Sequence, residues 1–369
     1  MTTPASRPAA APKIRAMIAE DSAVVRGLML RWLEAEPDIE IVALASNGRE
    51  AVRKVGEAKP DVAILDVEMP EMDGIEALPH MLKAVPGLAV IMASTLTRRN
   101  ATITMRALEL GAADYLPKPE AGSMVSAADY KRELISKIRG LAQIRTKPPA
   151  LAAGASAAPR AASLTRTAAA AIPTGFRPEI LVIGSSTGGP QALRAVLEKL
   201  PARFPLPILI VQHMPAMFTA ILAEQLDKAT PFAVTEASDG QPFRPGQALV
   251  APGGQHMRIA LRHGAPVIAL DQSPPVNFCR PAVDPLFDSA AEAFGPRALA
   301  VVLTGMGHDG RDGARTIVGK GGVVLAQDEA TSTVWGMPGA VAQAGLAAAI
   351  KPLGEMAAFV QTIVSGGAR

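Results

Sequence analysis

Two trains of short apolar runs alternate with helix-period segments, and one stretch that has neither pattern separates them. In the first train, residues 14–19, 40–44, 62–65, 88–93 and 114–116 read as strands, with helical segments beginning near Ala23, Arg49, Ile75, Arg98 and after Ala127. In the second, residues 180–184, 206–211, 248–250, 267–270, 299–303 and 322–325 read as strands. Helices are expected over 190–200 and from near Ala216, Pro285, Asp312, Pro338 and Gly354. Apolar strands alternating with helices belong to parallel sheets covered on both faces. The expected fold class is therefore α/β, with two doubly wound parallel-sheet domains. The intervening stretch holds Pro148, Pro149, Pro159 and Pro173 among Ala, Ser and Thr. It cannot bury enough surface to offset its ordering entropy and reads as a flexible linker. The expected limits are a disordered tail at 1–12, a first domain at 13–143, a linker at 144–177 and a second domain at 178–369.

Composition narrows the class. A hydrophobic fraction of 49% supports two packed cores. No apolar run approaches the roughly 18 residues of a membrane span, so no membrane insertion is expected. Residues 1–12 lack the charged-then-apolar pattern of a secretory signal, and one cysteine, Cys279, excludes an internal disulfide framework. A cytoplasmic protein is expected. A net charge of +3 without a basic stripe argues against nucleic-acid binding.

Glu20 and Asp21 follow the first strand, Asp66 ends the third, Ser94 ends the fourth and Lys118 follows the fifth. In a doubly wound sheet all five converge on the carboxyl edge. Clustered carboxylates repel one another unless a cation neutralises them, and a hard oxygen site suits Mg²⁺. Such a site favours phosphoryl transfer onto Asp66, with Lys118 neutralising the acyl phosphate and Ser94 hydrogen-bonding it. Any one of these residues alone reads as a solvated group at a strand end; five in register do not.

The run Leu65-Asp66-Val67-Glu68-Met69-Pro70-Glu71-Met72-Asp73-Gly74, with Glu20-Asp21 and Leu116-Pro117-Lys118-Pro119, resembles the signatures of bacterial response-regulator receiver domains. The resemblance implies a flavodoxin-like domain phosphorylated on Asp66. It assigns Mg²⁺ to Glu20, Asp21, Asp66 and the backbone carbonyl of Glu68. It also assigns switch roles to Ser94, Tyr115 and Lys118, and a cis peptide to Lys118-Pro119.

In the second train, Gly184-Ser185-Ser186-Thr187-Gly188 follows a strand and fits the G-x-S-x-G elbow. Alone the motif is weak, because a Gly/Ser turn also cradles phosphate through backbone N–H groups. A serine nucleophile needs a base and a group to orient that base. Of five histidines, His213 ends the strand expected beside the serine strand. His80 lies on a helix, His263 in a hairpin turn and His256 in a loop, while His308 adjoins Asp309. Asp309 follows an apolar strand between glycines, whereas Asp239, Asp271, Asp284 and Asp288 read as caps or solvated acids. The order Ser, His, Asp differs from that of the α/β-hydrolases.

The segments 183–189, Val211-Gln212-His213-Met214-Pro215, 251–257 and 303–310 together resemble the chemotaxis protein-glutamate methylesterases, which join a receiver to an esterase. The resemblance implies a Rossmann-like three-layer esterase domain with Ser186 as nucleophile, His213 as base and Asp309 as orienting acid. Backbone donors near Met306 and Thr187 would form the oxyanion hole, with no cofactor in this domain. It further implies a phosphorylation-activated monomer whose unphosphorylated receiver covers the esterase cleft. Its substrate would be chemoreceptor cytoplasmic domains, whose glutamate γ-methyl esters it hydrolyses and selected glutamines it deamidates. A chemotaxis histidine kinase would be its phosphodonor. Two departures stand out: Ser185 adds a second hydroxyl where the family commonly has alanine, and His308 stands where asparagine is common. Cys279 reads as an incidental thiol and a weak rival nucleophile. The alternatives are a receiver with an inert binding module, or a transcriptional response regulator, although no helix-turn-helix pattern follows the linker.

Overall fold

The computed structural model describes residues 12–95, 97–118, 127–142 and 171–366. It divides into two compact units, one formed by residues 1–95 and 110–146, the other by 96–109 and 147–369. The expected tail up to residue 11, the linker up to residue 170 and the Lys118-Pro119 peptide lie outside the described residues.

The first unit's sheet grows from alternating elements: β1 (Ile14–Ala19), α1 (Ala23–Glu34), β2 (Ile39–Ala45), α2 (Gly48–Ala58), β3 (Val62–Asp66), α3 (Gly74–Ala84) and β4 (Ala89–Ser94). Then follow α4 (Arg98–Glu109), which groups with the second unit, β5 (Asp114–Pro117) and α5 (Ala127–Ala142). The five strands are parallel in the order β2-β1-β3-β4-β5. Three helices open on side-chain caps, with Ser22 accepting from Val25 N, Asn47 from Glu50 N and Asp73 from Glu76 N. Such caps contribute about 1 kcal/mol each and fix where each helix leaves the sheet edge. Strand order reverses between β1 and β3, which opens a crevice at their carboxyl ends. Residue 74 must be glycine for the loop after β3 to return, since a Cβ there would lie 2.0 Å from the Asp66 carbonyl oxygen.

The second unit begins with β6 (Ile180–Ser185), α6 (Gly189–Leu197), β7 (Ile208–Gln212), α7 (Ala216–Ala229), β8 (Ala233–Glu236) and β9 (Gln247–Val250). It continues with β10 (His256–Arg262), β11 (Ala265–Asp271), α8 (Val283–Phe294), β12 (Ala298–Val302) and α9 (Arg311–Gly319), and ends with β13 (Val323–Gln327), α10 (Met337–Gln343), β14 (Ala349–Lys351) and α11 (Leu353–Val364). Seven strands run parallel in the order β14-β13-β12-β6-β7-β9-β8. One face of this sheet, with Ile180, Val182, Leu209 and Val211, packs on Leu286, Phe287 and Ala290 of α8. Each buried Ile, Val, Leu or Phe side chain there contributes about 1.5–3 kcal/mol. β6 sits between β7 and the much later β12, so the order reverses beside it and the crevice opens at its carboxyl end.

Residues 267–270 do not join the main sheet as expected. β11 pairs antiparallel with β10 in a separate two-stranded sheet. The turn between them explains this: His263 and Gly264 take φ of 53° and 79°, the mirror-image geometry that folds a strand straight back on itself. Among the described residues, no helix is long and apolar enough to cross a membrane.

Candidate active site

Ser186 stands just beyond β6. Gly188 follows in the left-handed region at φ 75°, and a Cβ there would lie 2.3 Å from Thr333 Oγ1, so glycine is required on both counts. α6 then starts at Gly189, with Pro190 in its first turn, where a missing N–H costs nothing. Ser185 is the last strand residue and is fully buried; its hydroxyl donates to Gln212 Oε1 at 2.7 Å. Ser186 is half-buried, and its N–H donates to the Thr304 carbonyl at 3.0 Å. Among the described residues its hydroxyl has no hydrogen-bond partner.

His213 follows β7, where its N–H donates to the Ser185 carbonyl at 3.1 Å. Gln212 ties the two strand ends together: its Nε2 donates to the Ser186 carbonyl at 2.9 Å while its Oε1 receives the Ser185 hydroxyl. The ring Nε2 of His213 lies 2.7 Å from Asp309 Oδ2, and Nδ1 lies 3.4 Å from Cys279 Sγ. Asp309 is 2% exposed and fully engaged. Oδ2 also accepts from Val283 N at 2.6 Å, and Oδ1 accepts from Asn277 Nδ2 at 3.1 Å and Asp284 N at 3.2 Å.

Burial opposes ionisation of Asp309. The hydrogen bond and charge of His213, with the N–H groups of Val283 and Asp284, outweigh it and hold the carboxyl well below its usual range. For His213 burial again opposes the charged form, but the Cys279 sulfur and Asp309 push the pKa up to about 10. Asp284, unlike Asp309, is pushed up, to about 7, through burial and then the charge of Asp309. It accepts from Gly310 N and Gly313 N at 2.9 and 2.8 Å, and from Asn277 Nδ2 at 3.0 Å.

The structure thus joins His213 to Asp309 beside the Ser186 elbow. Thr187 is buried, its carbonyl accepting from Thr304 Oγ1 at 2.9 Å, and Met306 is half-buried in the loop after β12. Sequence does not assign Gln212, Asn277 or Asp284 to this site, and admits Cys279 only as a weak rival nucleophile. Only Gln212 carried a signal, as the one polar residue closing the apolar run before His213. His256, expected in a loop, instead opens β10 and is fully buried, its Nδ1 accepting from Ala282 N and its Nε2 facing the Pro274 carbonyl. His80 and His308 are exposed.

In the first unit, Glu20 and Asp66 are buried and Asp21 is exposed, and one oxygen of each falls within 4.8 Å of the others. Lys118 Nζ lies 2.8 Å from Glu20 Oε2 and 2.7 Å from Asp66 Oδ2. One ammonium contacts two of the three clustered carboxylates. Burial, outweighing Lys118 and aided by Glu20 and Asp21, therefore raises Asp66 to about 7. An all-oxygen set with excess negative charge fits a hard divalent cation. The Glu68 N–H faces Asp66 Oδ1 at 3.4 Å. A cavity of about 380 Å³ opens on the cluster, lined also by Trp32, Glu68, Thr95 and Tyr130. Ser94 is buried at the end of β4. Tyr115 is buried on β5 with Lys137 Nζ 5.4 Å from its ring centre, and burial holds its hydroxyl pKa well above the usual value.

Comparison with known proteins bears on both units. Residues 181–360 match the family model for the CheB methylesterase, and residues 16–128 match that for the response regulator receiver domain. The chain is 48% identical to the protein-glutamate methylesterase/protein-glutamine glutaminase of Maricaulis maris (strain MCS10), covering 96% of each chain. It is 51% identical to the protein-glutamate methylesterase/protein-glutamine glutaminase of group 2 operon of Rhodopseudomonas palustris (strain ATCC BAA-98 / CGA009), covering 99% of this chain and 97% of that one. The crystal structure of the Thermotoga maritima CheB methylesterase catalytic domain superposes with a TM-score of 0.50 at 42% identity, covering 51% of this chain and 99% of that chain.

Proposed function

The chain belongs to the protein-glutamate methylesterase/protein-glutamine glutaminase family, and from that premise we propose that Ser186, His213 and Asp309 carry the hydrolysis and Asp66 controls it. The protein is a serine hydrolase of bacterial chemotaxis that is activated by phosphorylation of its receiver. The receiver occupies residues 13–143 and the esterase residues 178–369.

Ser186 attacks the carbonyl of a glutamate γ-methyl ester as His213 takes its proton; the same proton then leaves with methanol. Asp309 holds the imidazole and stabilises its charge. The N–H groups of Thr187 and Met306 receive the oxyanion, each such donor contributing about 2.7–4 kcal/mol. Water then attacks the acyl-enzyme with His213 again as base, releasing glutamate. A glutamine side chain enters the same path and loses ammonia. The observation that most supports this reading is the 2.7 Å His213–Asp309 pair on the sheet edge that also presents Ser186.

Glu20, Asp21, Asp66 and the Glu68 carbonyl hold Mg²⁺ in the receiver, and that ion, when bound, neutralises charge during phosphoryl transfer. Lys118 pairs with the acyl phosphate on Asp66, and Ser94 and Tyr115 carry the change outward. The substrates are the cytoplasmic helices of chemoreceptors, and the phosphodonor is a chemotaxis histidine kinase, which places the protein in the cytoplasm. The test is methanol release from methylated receptor membranes, with and without a small phosphodonor. Release that the phosphodonor stimulates supports the reading; no release in either condition overturns it.

A further inference from the structure

The segment between β11 and α8 reaches the catalytic centre through a two-residue turn. Val276 and Cys279 exchange backbone hydrogen bonds at 3.1 and 2.9 Å, and the residues between them, Asn277 and Phe278, sit at φ 51° and 64°. Neither is glycine, and a phenylalanine in the left-handed region is costly to hold. The turn delivers two side chains, Asn277 from within it and Cys279 from its end, to the acid and the base. Asn277 Nδ2 donates to Asp309 Oδ1 at 3.1 Å and to Asp284 Oδ2 at 3.0 Å. Cys279 Sγ meets His213 Nδ1 at 3.4 Å.

Both nitrogens of the imidazole are therefore engaged. Nε2 is aimed at the buried Asp309, so Nδ1 is the nitrogen left to accept the proton of Ser186. That is the nitrogen Cys279 occupies, while the Ser186 hydroxyl stands without a partner among the described residues. We propose that Cys279 is a positioning residue that holds His213 in a resting state. Its thiol must give up Nδ1 before Ser186 can be activated. This rests on the assignment of Ser186, His213 and Asp309.

The chemistry is a proton held in place, with no bond to carbon formed or broken. While Sγ occupies Nδ1 and Asp309 occupies Nε2, neither ring nitrogen is open to the serine proton. The groups facing His213 are the Asp309 carboxylate on Nε2 and the Cys279 thiol on Nδ1. Asp284 stands behind Asp309 through Asn277, and His308 is exposed. The upward push on the His213 pKa from Cys279 and Asp309 agrees with both nitrogens being engaged.

The experiment follows methanol release by the full-length chain, Cys279→Ala, Cys279→Ser and Ser186→Ala across pH, with thermal melts of each. The base must be neutral to act, so kcat/KM rises with pH through its pKa. Removing the thiol lowers that pKa, and the acidic limb of Cys279→Ala moves down by about one pH unit or more, with turnover at neutral pH rising about tenfold. Cys279→Ser moves in the same direction, because the shorter C–O bond draws the hydroxyl back from Nδ1, and decides the matter alone should the alanine variant melt early. Wild-type limbs in both variants overturn the proposal, as does loss of turnover in a folded variant, which would make Cys279 a required group. Turnover surviving in Ser186→Ala overturns the underlying assignment of the nucleophile instead.

Discussion

At Ser186 the difference between a nucleophile and a bystander is one position along the chain. Ser185, the last residue of β6, points its hydroxyl inward to Gln212, whereas Ser186 lies past the strand. Ser186→Ala should abolish methanol release with the melting temperature unchanged. Ser185→Ala should keep turnover but leave Gln212 Oε1 without its buried donor, at about 1–3 kcal/mol of stability. Paired kinetics and denaturant melts check both, and the opposite pattern would move the nucleophile to Ser185. Asp66 offers a second test. Below its pKa of about 7 the carboxyl holds a proton that a bound cation must expel; above it, the site is already ionised. Apparent Mg²⁺ affinity should therefore tighten as pH rises from about 6 to 8, by up to about tenfold per unit below the pKa. Trp32 lines the same cavity and its fluorescence follows the titration. A pH-independent affinity would show that the Asp66 proton does not compete.

At the scale of elements, α5 is fastened to β5 by an ion pair away from water. Lys137 Nζ lies 2.5 Å from Asp114 Oδ2, both groups buried. Burial disfavours a charged lysine, but Asp114 and Glu133 outweigh it and keep the ammonium form. Asp114→Ala leaves that ammonium with Glu133 alone and should cost up to about 3 kcal/mol, while Asp114→Leu with Lys137→Met should come much closer to neutral. Chemical denaturation of the full chain, followed at Trp32, separates the two; equal losses would mean the pair contributes only bulk. The long elements were readable because an apolar strand and a helix-period segment each leave a local trace, and so the carboxyl-edge positions of Ser186, His213 and Asp309 followed. β8 and β14 left little trace: four and three residues at the sheet's two edges, half exposed, carry no continuous apolar run. The approach of Cys279 to His213 was illegible for another reason. It depends on Asn277 and Phe278 adopting a left-handed turn, which nothing in those residue types announces. Asp284 was mistaken for a helix cap or solvated acid because its neighbours Gly310, Gly313 and Asn277 come from other segments.

On the scale of the whole molecule, the two sites are written on separate units and must be coupled by a free-energy difference between two states. Full-length protein should release methanol faster once a small phosphodonor is added, by a factor in the range of about 5–150 that typical couplings of 1–3 kcal/mol produce. Asp66→Asn should abolish that response and leave the basal rate in place. Deleting residues 1–146 should raise the basal rate; a fragment no faster than the unphosphorylated full chain would discard restraint by the receiver. The strand order of the second sheet bears on how a cell comes to possess such an enzyme. The ribosome delivers Ser186 and His213 early, yet the place beside β6 is filled by β12, and Asp309 follows only after that strand. Non-local parallel pairing of this kind closes late. A nascent or broken-off chain therefore carries Ser186 and His213 without the Asp309 that pairs with His213, so the arrangement proposed for hydrolysis belongs to the finished polypeptide.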